Sequence, residues 1–275
     1  MIDLDRYLAR IGYAGLRDAT LEVLKALHFA HSTSIPFENL DVLARRPIRL
    51  DPASLQKKLI EDRRGGYCFE LNGLFLAALR AMGFEVTPFI GRVRWMQPED
   101  IATARTHMLM RVDLPEGPYI ADVGFGGLTM TGPIRFVCDL EQATPHEPRR
   151  LLARSDGYEL QGKLGEAWVS IYHFTEEVQS PADYELSSWY TSTHPDSLFV
   201  QHLIAARPFA DRRVTLFNTN LAIRGLNGQV ESHKLETVAD IAQALREHLG
   251  LPLSVEEQTV MLAPYMDAWL ALQAG

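Results

Sequence analysis

The spacing of hydrophobic positions divides this chain into stretches of different period. Between residues 3 and 83 apolar residues recur at helical spacing. Leu4, Tyr7, Leu8 and Ile11 share one face of a short amphipathic segment. Thr20 stands where a cap belongs, ahead of Leu21, Leu24, Leu27 and His28. Ile35-Pro36-Phe37-Glu38-Asn39-Leu40 interrupts the helices, because proline disfavours helix at Ile35; it reads as a loop with two apolar anchors and an acid. Pro52 to Ile60 predicts another short helix with proline at its start. The strongest stripe follows: Leu71, Leu74, Phe75, Ala78, Leu79 and Met82, closed by Gly83 at the position of a helix-ending glycine.

From Phe84 the period shortens. Residues 84–93 read as a strand, with Pro88 marking an edge or a bulge. Residues 96–104 form a polar loop. Thr106–Leu114 and Tyr119–Val123 predict a hairpin around Pro115-Glu116-Gly117-Pro118. Further strands are expected at Arg150–Arg154, Tyr158–Lys163 and Ala167–Phe174, in an antiparallel meander or barrel. A helix over 183–190 ends at Thr193-His194-Pro195-Asp196. Strands return at Leu198–Ala205, Arg213–Asn218 and Asn220–Arg224, and Asn227-Gly228 signals a turn. Two helices close the chain, Val238–Leu249 and Val255–Leu272, the second with a kink at Pro264. These changes set boundaries near 90 and 190, giving regions 1–90, 91–190 and 191–275.

Composition narrows the classes. The 275 residues carry a net charge of −8 and are 47% hydrophobic, an ordinary globular balance. No basic block offers a nucleic-acid surface, and no apolar run approaches the ~20 residues of a membrane span. The acidic start, Met1-Ile2-Asp3-Leu4-Asp5-Arg6, has no signal-peptide core, so a cytoplasmic protein is expected. Two cysteines, Cys68 and Cys138, give no disulfide framework.

One of those cysteines has a distinctive setting. Gly65 and Gly66 precede Cys68, which stands at the first turn of the strongest helix; it reads either as a buried cysteine packing as a small hydrophobe or as a nucleophile, since unpaired N–H groups there favour a thiolate. Such glycines permit a tight approach that leaves the sulfur facing a cleft. A cysteine nucleophile needs a base, and the base needs an orienter. His107 and Asp122 fall at the open end of the expected hairpin. A two-residue turn at Glu116-Gly117, however, sets Asp122 opposite Arg111, about 13 Å from His107 at strand rise. The pair meets only if the turn centres nearer Leu114-Pro115, or a bulge intervenes. His28 and His31, three apart on one helix, read either as a metal pair or, with no third ligand at helical spacing, as solvated or capping histidines. Glu38 and Arg64 read either as a supporting pair beneath the site or as surface ions.

The motifs Ile35-Pro36-Phe37-Glu38-Asn39-Leu40, Arg64-Gly65-Gly66-Tyr67-Cys68-Phe69-Glu70-Leu71-Asn72, Thr106-His107-Met108, Asp122-Val123-Gly124-Phe125-Gly126 and Ser192-Thr193-His194-Pro195 with Ser197-Leu198-Phe199 occur in this order. Together they resemble the arylamine N-acetyltransferase family. The likeness spans roughly residues 30–200 by motif. It implies an α+β fold with a papain-like (cysteine-proteinase-like) core: an N-terminal helical bundle, a central antiparallel β-barrel and a C-terminal α/β lid. It implies acetyl-CoA as donor, no metal, and ping-pong transfer through acetyl-Cys68 to an arylamine, arylhydrazine or N-hydroxyarylamine, with His107 and Asp122 completing the catalytic set. Gly126 and Gly127 are expected either at the cofactor or in a turn. Phe37, Phe125 and Phe199 are expected either at an aromatic substrate slot or as core aromatics. A small aromatic amine or hydrazine and CoA are the expected partners of a monomer or homodimer.

The competing readings are a thiol hydrolase or transglutaminase-like enzyme with the same three residues, an amide synthase with a larger acyl donor, and a module using Cys68, His107 and Asp122 as metal ligands. The ordered motif set weighs against the first, the second differs only in its donor pocket and stays open, and the Gly-Gly-Tyr-Cys presentation with no second cysteine near Cys68 weighs against the third.

Overall fold

In the computed structural model, residues 2–98, 101–251 and 253–267 are described. The first region is helical for reasons visible at each end of its elements. α1 (Leu4–Ile11) starts at Asp3, whose carboxylate accepts the Arg6 N–H, and stops at Gly12 in the left-handed conformation. α2 (Leu21–Ser34) starts at Thr20, whose side chain accepts the Val23 N–H. The interrupting loop contains a two-residue strand, β1 (Phe37–Glu38), and a helical turn, α3 (Leu40–Leu43). α4 (Pro52–Leu55) runs into a π-helical turn over Gln56–Glu61. α5 (Cys68–Ala81) is the centre of this region, and Gly83 beyond it takes the left-handed conformation expected of a helix-ending glycine. Leu71, Leu74, Phe75, Ala78 and Leu79 on α5 are buried against α1, α2 and the following sheet. Each large apolar side chain so enclosed contributes roughly 1.5–3 kcal/mol.

The middle region is a seven-stranded antiparallel sheet in the order β5-β4-β3-β2-β8-β7-β6. Its strands are β2 (Glu85–Val93), β3 (Arg105–Leu114), β4 (Gly117–Ala121), β5 (Ile134–Arg135), β6 (Arg149–Arg154), β7 (Gly157–Leu164) and β8 (Ala167–Phe174). Bridges from Cys138 to Leu151 and from Gln142 to Arg149 bring the segment after β5 back onto β6, so the sheet nearly closes into a barrel. Pro88 lies where β2 has β3 as its partner; β8 pairs with β2 only at Gly91, Arg92 and Val93. The proline thus stands where β2 is paired on one edge alone, and a bulge follows at Gly91–Arg92.

β3 is buried on both faces. Met108, Met110, Val112 and Leu114 point into the helical core, while Leu109 points into the barrel. Alternation therefore sends His107 to the barrel side.

The last region contains α6 (Pro181–Thr193), α7 (Leu198–Gln201), β9 (Ile204–Pro208), β10 (Arg212–Phe217), β11 (Asn220–Gly225), β12 (Val230–Lys234), α8 (Val238–Leu249) and α9 (Val255–Glu257). α9 widens into a π-turn over Gln258–Leu262, just ahead of Pro264, whose absent N–H leaves an i→i−4 bond unmade. The end of the expected Val255–Leu272 helix lies outside the described residues. The stretch Leu198–Ala205, expected as one strand, divides instead. Ser197 caps the α7 turn by accepting the Phe199 N–H at 3.3 Å, and the strand begins only at Ile204. The sheet of this region has the order β1-β9-β10-β11-β12, so Phe37 and Glu38, paired to Ala206 and Ala205, form its first strand. Asn39 reinforces that junction, donating to Phe199 O and His202 O and accepting from Ile204 N–H. α8 packs Ile241, Leu245 and Leu249 on Leu203, Val214 and Leu216. Among the described residues no helix is long and apolar enough to cross a membrane.

Candidate active site

Cys68 opens α5. Tyr67 before it is extended, and its N–H donates to Glu70 Oε2 at 3.1 Å, which places a carboxylate at the positive end of the helix. The two preceding glycines are required by packing. A Cβ on Gly65 would lie 2.3 Å from Pro36 O, and one on Gly66 would lie 2.7 Å from Glu70 Oε2. The approach to Cys68 thus runs directly against β1, with Glu38 N–H donating to Gly66 O at 2.9 Å. Beneath it, Arg64 reaches the fully buried Glu38 at 2.8 Å, and Lys58 reaches both Asp41 and Glu70 at 2.7 Å. Arg64 and Glu38 therefore form the buried support, not a surface pair.

The hairpin turn resolves the distance problem posed by the sequence. Leu114 pairs with Gly117, so the turn residues are Pro115 and Glu116, one position earlier than Glu116-Gly117. Met110 pairs with Ala121, and continuing that register sets Asp122 opposite Leu109 and diagonal to His107. A diagonal neighbour lies within reach of long side chains. Asp122 Oδ2 is 2.7 Å from His107 Nε2. The Cys68 sulfur is 3.4 Å from Thr106 O, beside His107, and acts on the imidazole by hydrogen bonding. All three side chains are buried. Gly124 follows closely: a Cβ there would stand 3.0 Å from Cys68 Cα and 2.9 Å from Asn72 Nδ2.

The surroundings fix the charges. Burial alone lowers the His107 pKa, but the Asp122 carboxylate outweighs it and, with Cys68, raises the value to about 10. Burial works to raise Asp122; the His107 charge and hydrogen bonds from Asn72 and Gly124 hold its carboxyl below the usual range. Asn72 Nδ2 donates to Asp122 Oδ1 at 2.9 Å and to Met108 O at 2.7 Å, while its Oδ1 accepts the Val123 N–H at 3.0 Å. One side chain on the Cys68 helix therefore ties that helix to both strands of the hairpin.

Aromatic rings enclose the set. Phe125 meets His107 edge-on at 5.0 Å, and Tyr172 lies 4.8 Å away on the barrel side. Phe199 contacts both Phe37 at 5.9 Å and Tyr67 at 5.7 Å. Gly126 is left-handed (φ +84) and sits against the Phe37 ring, so it makes the turn that a side chain would strain. A Cβ on Gly127 would meet Thr215 in ordinary contact, so local geometry does not demand glycine there. A separate hollow of about 990 Å³, lined by Arg45, Arg49 and Trp189 among others, lies across Ser188 from Tyr67.

His28 and His31 are neither solvated nor caps, contrary to expectation. Both are fully buried, because they continue the α2 stripe that Leu24 and Leu27 begin. His31 Nδ1 pairs with Tyr7 Oη at 3.0 Å, and His28 Nε2 accepts the Asp122 N–H at 3.2 Å. Among the described residues no group of three or more His, Cys, Asp or Glu is arranged to hold a metal ion.

The family model described as N-acetyltransferase matches residues 20–259. The arylamine N-acetyltransferase of Escherichia coli (strain K12) is 40% identical over 270 residues, covering 95% of this chain and 96% of that protein. This chain belongs to the arylamine N-acetyltransferase family. Like its relatives in the arylamine N-acetyltransferase family, it is a transferase. The solved arylamine N-acetyltransferase of M. tuberculosis superposes with a TM-score of 0.90 at 40% identity, covering 94% of this chain and 99% of that one. The Mycobacterium marinum arylamine N-acetyltransferase solved in complex with CoA gives 0.88 at 42% identity, covering 90% and 93%. The residues of this arylamine N-acetyltransferase chain that sequence reasoning missed are Asn72, Tyr172 and His28. Asn72 had a signal, since it lies four residues after Cys68 on the same helix face.

Proposed function

We propose that this protein transfers an acetyl group from acetyl-CoA to the nitrogen of arylamines, arylhydrazines or N-hydroxyarylamines, through an acetyl-Cys68 intermediate. The observation that carries this reading is the enclosed His107 imidazole, gripped by Asp122 at Nε2 and acted on by the neighbouring Cys68 thiol group. In the first half-reaction the Cys68 thiolate attacks the thioester carbon. The carbon–sulfur bond to CoA breaks, and the departing CoA sulfur takes the proton of the His107 imidazolium. In the second, the amine nitrogen attacks acetyl-Cys68, His107 accepts the amine proton, and Cys68 leaves as thiolate. Asp122 holds the imidazole in one tautomer and stabilises its charged form. The Cys68 N–H, at the first turn of α5, is the first donor for the tetrahedral oxyanion.

On this reading Gly126 and Gly127 line the approach of the CoA chain, and Phe37, Phe125 and Phe199 face the flat acceptor ring, as suits an apolar pocket with few polar groups. The papain-like core is the pairing of the α5 nucleophile with the barrel base. The regions 1–90, 91–190 and 191–275 then supply nucleophile, base with orienter, and lid, in a cytoplasmic monomer or homodimer.

The test is intact-protein mass after mixing with acetyl-CoA alone. Wild type should gain ~42 Da and lose it on adding an arylamine, and Cys68→Ala should gain nothing. No adduct with any thioester would overturn the reading, and an adduct only with longer acyl thioesters would replace acetyl by a larger donor.

A further inference from the structure

The mechanism above uses one side of Asp122; its other side faces the helical bundle. We propose that His28 is a positioning residue, whose neutral imidazole anchors the main chain of Asp122 from α2 and so aims the carboxylate at His107. This rests on the assignment of Cys68, His107 and Asp122 as the reacting set.

The β3–β4 ladder ends at the pair Met110–Ala121. Asp122 is the next residue, fully buried, and its N–H has passed beyond the ladder. A buried N–H without an acceptor costs as much as a lost hydrogen bond, and the chain would shift to find one. His28 Nε2 supplies the acceptor at 3.2 Å, across 94 residues of sequence. Because Nε2 accepts an N–H, it carries no proton, so the ring is neutral with hydrogen on Nδ1. Burial keeps it so, pushing the His28 pKa down to about 4 against the opposing pull of Asp122.

The imidazole is itself held. Its ring stands edge-on to Phe75 of α5, 5.7 Å away at 87°. His31, one turn along α2, packs on the same Phe75 and is pinned by Tyr7. The charged or titratable groups facing His28 are Asp122 from the hairpin and His31 from its own helix; Arg10 acts on His31. Those facing His107 are Asp122, Cys68 and the Tyr172 ring, with Arg149 beyond Tyr172. Tyr172 also lies against the Asp122 carboxylate that links the two rings. Asp122 is thus held by its carboxylate, to His107, Asn72 and the Gly124 N–H, and by its backbone N–H, to His28. Of these contacts, the one from His28 is made to its main chain.

The test compares two amides. Gln at position 28 places an acceptor near the Nε2 position, whereas Asn carries the same group one methylene short. Rates of Cys68 alkylation by iodoacetamide across about pH 5 to 9 report the thiolate–imidazolium pair directly. His28→Gln should stay within about threefold of wild type. His28→Asn and His28→Leu should react about 10- to 100-fold more slowly near pH 6, with the acid limb moved up by about one unit. Thermal midpoints measured alongside separate a structural role, which would lower stability without moving the pH profile. Profiles of Asn and Leu variants that superimpose on wild type would overturn the proposal, as would a Gln variant as slow as the Asn one. If Leu prevents folding, the amide pair still decides. Alkylation needs no acyl donor, so a failure of the acetyl-transfer reading would appear in the mass experiment and not here.

Discussion

Asp122 lies between two enclosed imidazoles, and the two sides of it differ in one respect that decides their charge. On the barrel side, His107 meets the carboxylate itself, and burial is outweighed: its pKa rises to about 10. On the helical side, His28 meets the backbone N–H of the same residue, and burial wins: its pKa falls to about 4. Both rings are shielded from water, so exposure does not separate them. The nearest atom does. A carboxylate oxygen selects imidazolium, and an amide hydrogen selects the neutral ring. One residue type is therefore held charged on one side and as a neutral acceptor on the other.

The difference can be broken most severely on the charged side. On the proposed reading, His107→Ala should reduce acetyl transfer by at least about 10⁴-fold, measured as single-turnover formation of the Cys68 adduct. Substantial adduct formation would remove His107 from the proton path. Asp122→Asn should follow at about 10³- to 10⁴-fold, because the amide favours the wrong tautomer and supplies no charge. Unchanged kinetics in that variant would mean that His107 needs no partner. Asn72→Ala should be milder in chemistry but visible in stability. It strands the Val123 N–H and removes donors from Asp122 and Met108, a loss of about 1–3 kcal/mol in denaturant unfolding.

The smallest effect sharpens the comparison through pH. The His107 value lies above the ordinary ~6.5, so its stabilisation is complete below that pH and fades as pH rises toward about 10. The His28 value lies below it, so the unfolded chain binds the extra proton and stability is lost as pH falls from ~6.5 toward about 4. Replacing His28 by Gln should flatten the acid side of the stability profile, and replacing His107 by Gln the alkaline side, each by on the order of 1–3 kcal/mol. Equal effects of both variants on both limbs would erase the distinction.

How far the sequence revealed this follows from what each signal depends on. The α5 stripe was legible because Leu71, Leu74, Phe75, Ala78 and Leu79 bury one face, and burial enforces period. The approach of His107 to Asp122 was legible as a possibility but not as a distance, since a shift of one residue in the turn moves the register by two. β12 escaped notice because every residue from Val230 to Lys234 is exposed, so neither face imposes alternation. β1 escaped because two residues have no period. His28 and His31 were misread by residue type, although their places on the stripe with Leu24 and Leu27 signalled burial. Tyr172 carried no signal, because its partner His107 lies on a strand 65 residues away and only the barrel brings them together.

The pairing of β1 with β9 has a consequence for the order of assembly. Phe37 and Glu38 leave the ribosome early, yet their strand partners are Ala206 and Ala205. At ~5–20 residues per second, that interval lasts roughly 10 to 30 s. Throughout it, one edge of the strand beside the cysteine approach has no neighbour, and Asn39 has neither His202 nor Ile204 to hold. The cysteine is synthesised in the first quarter of the chain, but the wall beside it closes only after three-quarters has been made. A truncated chain ending before residue 204 would carry Cys68, His107 and Asp122 while leaving that wall unbuilt.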